Sequence, residues 1–336
     1  MRFGIFIPQG WVHDLVDIEP AEHWATIREI ALAAESGPWE SVWLYDHFHT
    51  VPVPTSEATH ETWSLVSALA AVTSRIRIGQ MCTCIGFRNP AYLAKVAATA
   101  DHISGGRIEM GIGAGWYEHE WRAYGYGFPL TKERLGMLRE GVEILAQAWR
   151  DGSATLDGEH FRVDGAICRP LPLQEGGIPI WIAGGGERRT LRIAAQYGSA
   201  ANFMAFDIDT FRRKRTVLAE HCAAIGRDPE QIRRSANFSV IVGESAADVV
   251  ARIRRVEQRL ARFVGDAAAA AQVAEYRDGT ALAGTPEDIG ERLAAWRDAG
   301  LQIMLAYFPE AAYDRSGIEL FEQRVIPALA AEEPRA

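Results

Sequence analysis

Two glycine-rich segments carry residues whose types and spacing could bind a cofactor. The first, residues 105–116, is a short apolar run that ends in Gly113, Ala114 and Gly115 and is followed by Trp116. Glycines at a strand end let the backbone approach a ligand closely because no Cβ stands in the way. A large aromatic beside them can cover a flat ring. The segment therefore suggests a ligand site at the carboxyl end of a strand, and a plain strand-to-loop turn remains the alternative.

The second segment has three consecutive glycines, Gly184, Gly185 and Gly186, between a strand pattern and a helix pattern. Such a loop exposes backbone N–H groups at the positive end of a helix, which binds phosphate without requiring a side-chain charge. Arg188 and Arg189 follow directly and could add positive charge. The segment predicts a phosphate-binding loop, with an ordinary flexible turn as the alternative.

Histidines supply the candidate acid–base chemistry. His47 and His49 lie two residues apart after a strand pattern. A metal site would need further histidine or carboxylate ligands on later strands. The predicted strands at residues 179–183, 199–204 and 235–242 end instead in glycines, Asn202 and apolar residues, so no metal site is predicted. Because imidazole titrates near neutrality, His47 is the expected proton donor or acceptor. The alternative is a histidine that only hydrogen-bonds a neighbouring backbone group.

The elements that must position these residues alternate between strand and helix patterns. Strand-like runs are predicted at residues 2–7, 41–45, 76–85, 107–112, 179–183, 199–204, 235–242 and 302–308. Helical patterns are predicted at residues 21–35, 62–72, 90–103, 131–150, 188–196, 208–225, 247–262, 285–299 and 313–325. Eight strands that alternate with helices are most simply a closed (β/α)8 TIM barrel of the α/β class. The active sites of such barrels lie in the loops at the carboxyl ends of the strands.

Two segments depart from the simple alternation. Residues 154–163 predict a hairpin around Asp157-Gly158, which is a strong two-residue turn signal. Residues 263–283 are alanine-rich with scattered charges, which leaves both a helix and a mobile segment open. We therefore predict one barrel domain over residues 1–336, with insertions at about residues 151–178 and 263–283.

Composition excludes several classes of function. The 336 residues carry 35 basic and 44 acidic side chains, a formal net charge of −9, whereas a nucleic-acid-binding protein is more often basic. No apolar run approaches the roughly 20 residues of a membrane span, and the N-terminus lacks a signal-peptide pattern. Four cysteines in so long a chain form no disulfide framework. The expected setting is a reducing cytoplasm, with a small-molecule substrate rather than nucleic acid or membrane as partner.

Short motifs, taken in their order and spacing, resemble the bacterial luciferase-like superfamily, and within it the coenzyme F420 (deazaflavin)-dependent oxidoreductases. They span most of residues 1–205 and are Trp-Leu-Tyr-Asp-His at 43–47, Arg-Ile-Arg-Ile-Gly at 75–79, Phe-Arg-Asn-Pro at 87–90, Ala-Thr-Ala-Asp-His-Ile-Ser-Gly-Gly-Arg at 98–107, Gly-Ile-Gly-Ala-Gly-Trp at 111–116 and Pro-Ile-Trp-Ile-Ala-Gly-Gly at 179–185. The resemblance implies a luciferase-like barrel with an isoalloxazine-type ring over its mouth. Because that family often forms dimers, a homodimer is one assembly open to this chain.

The resemblance also implies which residues contact the cofactor. Met81 and Cys82, followed by Thr83, match the place of a non-proline cis peptide bond that bulges against the ring. Asp46 and His47 match ring-edge positions after the second strand. The other matches lie beside the ribityl chain and at the phosphate; they are Gly113, Ala114, Gly115, Trp116 and His119, and then Ala183, Gly184, Gly185, Gly186, Glu187 and Arg188.

The activity that the resemblance implies is hydride transfer between F420 and an unidentified small organic substrate, with His47 and Asp46 as catalytic residues. An FMN-dependent luciferase-like monooxygenase is the nearest alternative, because FMN and F420 share a ring system and a ribityl phosphate. A deazaflavin- or flavin-binding protein without turnover is the second alternative. One position departs from the pattern: sugar-phosphate dehydrogenases of this family have a glutamate where this chain has Trp116, so glucose-6-phosphate is not carried over as the substrate.

Overall fold

The computed structural model describes residues 1–204 and 207–330. The strands are β1 (Arg2–Phe6), β2 (Ser41–Leu44), β3 (Arg77–Gln80), β4 (Thr83–Cys84), β5 (Ile108–Gly113), β6 (Ser153–Asp157), β7 (Arg162–Ile167), β8 (Ile180–Ala183), β9 (Ala200–Asn202), β10 (Arg233–Val242), β11 (Leu282–Gly284) and β12 (Ile303–Tyr307). The helices are α1 (His23–Ser36), α2 (Thr62–Val72), α3 (Pro90–Ser104), α4 (Glu118–Ala123), α5 (Thr131–Asp151), α6 (Thr190–Tyr197), α7 (Ile208–Ala223), α8 (Ala246–Val264), α9 (Asp266–Asp278), α10 (Pro286–Asp298), α11 (Ser316–Leu320) and α12 (Ile326–Leu329).

Eight of these strands form a closed parallel barrel, which confirms the predicted fold class. Their order around the barrel is β1, β2, β3, β5, β8, β9, β10 and β12, and β12 pairs with β1 to close it. The third predicted strand is interrupted: β4 follows β3 after two residues and also pairs with β5. β11 adds a short parallel pairing to the far end of β10.

The barrel strands are nearly continuous apolar runs because parallel strands of this kind are buried on both faces. Every residue of β2 and β5 is buried. Inside the barrel the rings of Trp43 and Trp181 pack with their centroids 4.6 Å apart, in a cluster that includes Phe6 and Leu305. Gly79 leaves room for this packing, since a Cβ there would clash with the indole of Trp43.

The helices pack apolar stripes against the outside of the barrel, and their ends follow signals in the sequence. Asn89 caps α3 by accepting hydrogen bonds from the N–H groups of Ala91 and Tyr92. Thr285 and Asp288 form a reciprocal capping box at the start of α10, where the sequence predicted a helix start. Among the described residues, no helix combines the length and apolarity needed to cross a bilayer.

The hairpin of β6 and β7 is present, but its connection differs from the predicted two-residue turn. Residues 158–161 form a longer loop in which the Gly158 N–H donates to the Phe161 carbonyl. The buried carboxylate of Glu140, on α5, accepts the backbone N–H groups of Glu159, His160 and Phe161. This long-range anchor replaces the local hydrogen bonds that would favour a tight turn.

The structure decides two questions about the C-terminal part: the conformation of residues 263–283 and the start of the last helix. Within residues 263–283, which were left open between helix and mobile segment, the chain forms α9 and β11. The last helix begins at Ser316 instead of residue 313, because the Asp314 carboxylate accepts the Ser316 N–H in a cap-like contact. It then continues through a π-helical turn, Phe321–Val325, to Leu329.

Candidate active site

The loops after β1, β2 and β5 meet at one side of the barrel mouth and bring together residues that are distant in the sequence. Trp11, from the loop after β1, stacks on His47, from the loop after β2. His49 contacts His119, in α4, with 3.0 Å between their Nδ1 atoms. Because parallel strands all end at the same face of the barrel, these side chains lie together at its mouth.

His47 is held by a carboxylate from another loop. Its Nδ1 lies 2.9 Å from Oε2 of Glu120, which is on α4. The other Glu120 oxygen accepts the N–H groups of Phe48 at 2.6 Å and His49 at 2.9 Å. A carboxylate acceptor at Nδ1 keeps the proton on that nitrogen and leaves the lone pair on Nε2. The expected alternative of a backbone partner is therefore wrong, and the partner is an acid that sequence reasoning did not connect to His47.

Two tryptophans flank the imidazole. The Trp11 ring is stacked on His47 at a centroid distance of 4.2 Å and an interplanar angle of 5°. Trp116 approaches edge-on at 5.7 Å and stacks on the neighbouring Tyr117. Trp116 is 59% exposed, so it lies at the rim of the mouth, where an aromatic side chain could cover a bound ring.

Asp46 is buried and engaged by other protein groups. Arg88 donates to its two oxygens at 2.7 and 2.9 Å, and the Cys84 N–H donates to Oδ2 at 2.8 Å. Burial disfavours the Arg88 charge, but Asp46 and Glu61 more than offset this and raise the pKa of Arg88 above its usual value. Asp46 thus ties the loop of His47 to β4, and its contact with the ring edge stays a prediction.

The peptide bond between Met81 and Cys82 is cis, at the place that the resemblance implied. It lies in the gap between β3 and β4, and Thr83 is fully buried just after it. A Cβ on Gly113 would lie 2.6 Å from Sγ of Cys82, so the glycine at the end of β5 allows this bulge to approach. Burial raises the pKa of the Cys82 thiol to about 12, with a smaller contribution from Asp46. Cys82 is thus a neutral packing group, not a nucleophile.

The rest of the first glycine segment turns sharply toward α4. Gly115 has φ of +78°, a left-handed conformation that favours glycine, and Ala114 is half-buried beside it. His119 is exposed and paired with His49. Within residues 1–204 and 207–330, no three His, Cys, Asp or Glu side chains are grouped so that they could hold a metal ion.

The second glycine segment forms an open loop between β8, which ends at Ala183, and α6. Gly184 has φ of +119° and donates its N–H to the Asn202 carbonyl. In the part of the chain that the structure describes, the N–H groups of Gly185 and Gly186 donate to no protein acceptor. Free N–H groups just before a helix fit the oxygens of a phosphate.

Lys214, on α7, lies behind this loop and was not identified from the sequence. Its Nζ donates to the Gly185 carbonyl at 2.6 Å, and the residue is 7% exposed. Burial lowers its pKa, an effect partly offset by Glu187. The sequence signal that could have identified Lys214 is its helical spacing. It lies three residues after Phe211 and four before Leu218, on the buried face of α7.

The outer end of the loop faces solvent. Glu187 makes an ion pair with Arg213 at 2.9 Å, which lowers the pKa of the Glu187 carboxyl. Arg188 is exposed. Arg189 donates to the Lys132 carbonyl at 3.2 Å. Of the cations near the glycines, Lys214 is thus buried, whereas Arg188, Arg189 and Arg213 are exposed.

A cavity of about 250 Å³ lies across the mouth from the glycine loop, beyond Trp11. Tyr45 and Tyr307 line it from the ends of the second and last barrel strands, and α8 and α9 form its outer wall. Sequence reasoning did not identify these residues, although Tyr45 ends one predicted strand and Tyr307 lies near the end of another. At about 250 Å³, this cavity is slightly smaller than the usual small-molecule pockets of about 300–1,000 Å³.

Comparison with known proteins finds a family that matches most of the chain, and similar proteins that use FMN or F420. A family profile described as luciferase-like monooxygenase matches residues 1–302. The chain is 28% identical to an FMNH(2)-dependent dimethylsulfone monooxygenase of Pseudomonas fluorescens over 84% of this chain and 81% of that protein. It is 29% identical to an F420-dependent glucose-6-phosphate dehydrogenase of Rhodococcus erythropolis, over 90% and 93%. The structure of an F420-dependent secondary alcohol dehydrogenase with an F420-acetone adduct superposes with a TM-score of 0.79 at 21% identity, over 98% and 99%.

Proposed function

Because the chain belongs to the luciferase-like monooxygenase family, we propose that it is a deazaflavin-dependent oxidoreductase. In this proposal it transfers a hydride between coenzyme F420 and a small organic substrate. The family membership itself supports an oxidoreductase or monooxygenase, and the resemblance noted in the sequence is confirmed at that level. The choice of F420 and of hydride transfer is the part that we propose.

The observation that carries the proposal is the pair formed by His47 and Glu120. Hydride transfer to or from a carbon that bears oxygen or nitrogen also requires that a proton leave or join that heteroatom. With Nδ1 bonded to Glu120 at 2.9 Å, Nε2 of His47 can accept the proton in one direction and return it in the other. The Glu120 carboxylate stabilises the imidazolium that forms, as in other histidine–carboxylate pairs.

The residues at the mouth fit a ribityl-phosphate cofactor. When bound, the deazaflavin would supply the hydride donor or acceptor. Gly184, Gly185 and Gly186 would hold its phosphate with backbone N–H groups, with Ala183, Glu187 and Arg188 flanking them. The bulge at Met81, Cys82 and Thr83 would support one face of the ring. The ribityl chain would run beside Gly113, Ala114, Gly115, Trp116 and His119.

His47 and Asp46 take different roles in this proposal. His47 is the catalytic residue, because its Nε2 accepts and donates the proton. Asp46 is a positioning residue, because its carboxylate is engaged by Arg88 and the Cys84 N–H. Trp116 stands where the sugar-phosphate dehydrogenases have a glutamate, so the proposed substrate is not glucose-6-phosphate.

An FMN-dependent monooxygenase is the second candidate. The Pseudomonas fluorescens relative, which its name describes as FMNH(2)-dependent, matches 84% of this chain and favours this reading. The phosphate loop and the bulge serve FMN as well as F420, because both cofactors share those parts. The two candidates therefore differ in cofactor affinity and in the need for oxygen.

A titration of the full chain with F420 and with FMN, followed by cofactor fluorescence, tests the proposal. We expect F420 to bind at least about tenfold more tightly than FMN. Oxidised F420 is then screened with alcohols, and reduced F420 with carbonyl and imine compounds, without oxygen. Tight FMN binding with no F420 binding overturns the proposal in favour of the monooxygenase. F420 binding without turnover of any compound favours a cofactor-binding protein.

A further inference from the structure

The cavity beyond Trp11 is lined by residues that carry polar atoms left unpaired in the described part of the chain. Its walls are the loop after β1, the end of β12, and helices α8 and α9. Four buried atoms of its lining have no hydrogen-bond partner among residues 1–204 and 207–330: Trp11 Nε1, His13 Nδ1, Arg259 Nε and Gln272 Oε1. Buried polar groups in native proteins are nearly always paired with protein or with ordered water, so these four side chains are candidates to contact a polar ligand or bound water.

Arg259 is the charged member of this set. Its guanidinium lies 3.8 Å from the centroid of the Tyr313 ring, and Nη2 donates to the Pro309 carbonyl at 2.7 Å. Within the described ranges, no carboxylate lies within 4.0 Å of Arg259. Arg252 and Arg255, on the same helix, both pair with Glu310. Arg259 thus lines the cavity with no carboxylate within 4.0 Å among the described residues, and its buried Nε–H is unpaired there.

Two acids lie near the cavity, and neither pairs with Arg259 within 4.0 Å. Glu275 lines the cavity, and burial raises the pKa of its carboxyl. Asp14 lies behind Tyr307 and is reached by the Tyr307 hydroxyl at 3.4 Å, so it does not line the cavity. The remaining walls are mostly aromatic and aliphatic, including Tyr45, Val256 and Leu260.

The cavity adjoins the proposed site for proton transfer. Trp11 stacks on His47 at 4.2 Å on one side and lines the cavity. A substrate whose reacting carbon lies near Nε2 of His47 could therefore extend past Trp11 into the cavity. Only the end of the substrate far from the reacting carbon would then contact Arg259.

We propose that this cavity binds the far end of the substrate and that this end carries a carboxylate, received by Arg259 within an apolar and aromatic pocket. Planar guanidinium donors match carboxylate oxygens in geometry as well as in charge. Trp11 Nε1 adds a further donor, and Gln272 Oε1 accepts from a hydroxyl or amide on the same substrate. The inference rests on the proposed function, because it treats the cavity as part of that active site.

Calorimetric titration with benzoate, and with benzamide as its neutral counterpart, tests the inference on the full chain. The proteins compared are the unmodified chain, R259Q, R259K and the control R254Q, whose exposed arginine is on the same helix but does not line the cavity. We expect benzoate to bind the unmodified chain and R254Q at least about tenfold more tightly than benzamide. R259Q should abolish that preference, and R259K should reduce it by a smaller factor because it keeps charge but loses the planar donors.

Several outcomes overturn the inference. Equal affinity for benzoate and benzamide in the unmodified chain does so, as does a benzoate preference that R259Q retains, which would indicate binding at the glycine loop or elsewhere. Should R259Q fail to fold, the R259K protein decides, since an unchanged preference there contradicts recognition by the guanidinium. F420 titration of the same preparations separates the two proposals: F420 binding without benzoate preference overturns only the subsite. Benzoate preference without F420 binding overturns only the proposed function.

Discussion

Nδ1 of His47 and Oε2 of Glu120 lie 2.9 Å apart, although 73 positions separate the two residues in the sequence. Glu120 is 1% exposed and fixes the loop of His47 as well as its ring. This contact fixes the tautomer and the orientation of the imidazole, which is the preorganisation that the proposed proton transfer would require.

Replacing His47 by alanine should lower kcat by about 10²- to 10⁴-fold, the usual contribution of a positioned acid–base group. Cofactor affinity should change much less. The measurement is the rate of F420 absorbance change with a substrate found in the screen. H49A is the matched control, because His49 is in the same loop but is paired with His119. Undiminished turnover in H47A would exclude the proton-transfer role.

Glu120→Gln should lower kcat by about 10²-fold or more, because an amide N–H facing Nδ1 would place the imidazole proton on Nε2. The decisive measurement is a double-mutant cycle with H47A. Because Glu120 acts through His47, H47A/E120Q should be no slower than H47A alone. Additive losses would mean that Glu120 acts on the reaction independently of His47.

Arg88→Met should destabilise the protein by about 3–5 kcal/mol, because it leaves the buried Asp46 carboxylate without its cation. Urea denaturation measures this free energy of unfolding. R122Q is the control, since Arg122 pairs with Glu118 where both side chains are more than half exposed, and such pairs contribute under about 1 kcal/mol. Equal destabilisation by both substitutions would contradict the positioning role of Asp46 and Arg88.

Asp14→Asn should change how stability depends on pH. Burial raises the pKa of Asp14 to about 6 in the folded protein, above about 3.9 in an unfolded chain. The folded state therefore binds more protons between these values, and the Asp14 contribution to stability falls as pH rises from about 4 to 6, by about 3 kcal/mol in total.

The comparison for Asp14 is the difference in unfolding free energy between the unmodified chain and D14N across this pH range. Other carboxyls with lowered pKa values, such as Glu61 and Glu140, act in the opposite direction but cancel in the difference. Relative to D14N, the unmodified chain should lose stability as pH rises. A difference that stays constant with pH would mean that Asp14 ionises as freely in the folded chain as in the unfolded one.

Lys214→Met should weaken binding of FMN or F420 by about tenfold, because it removes the buried cation behind the proposed phosphate-binding loop. Riboflavin and the phosphate-free deazaflavin should bind equally to both proteins. Fluorescence titration measures all four affinities, and R192Q, an exposed arginine on α6, is the control. Equal losses for the phosphate-free rings would show that Lys214 supports the site without serving the phosphate.

Much of the fold could be predicted because barrel strands carry a local signature. β2 and β5 are buried on both faces, so their sequences are nearly continuous apolar runs between turn residues, with Glu109 in β5 as a charged exception. Gly184 and Gly115 were visible for a similar reason, since their backbone conformations require residues without a Cβ. The predicted two-residue turn of the hairpin was wrong, because Glu140, a distant residue on α5, binds the backbone of the longer loop that forms instead.

The sequence by itself determined the barrel, the two glycine segments and the position of His47 at a strand end. It did so because periodicity, glycine and strand-end placement are properties of neighbouring residues. Only the tertiary structure decided the partners: Glu120 for His47, Arg88 for Asp46, Lys214 behind Gly185, and no carboxylate within the described residues for Arg259. Such pairings depend on which loops meet at the barrel mouth, and that meeting follows from closure of the sheet, which no short stretch of sequence encodes.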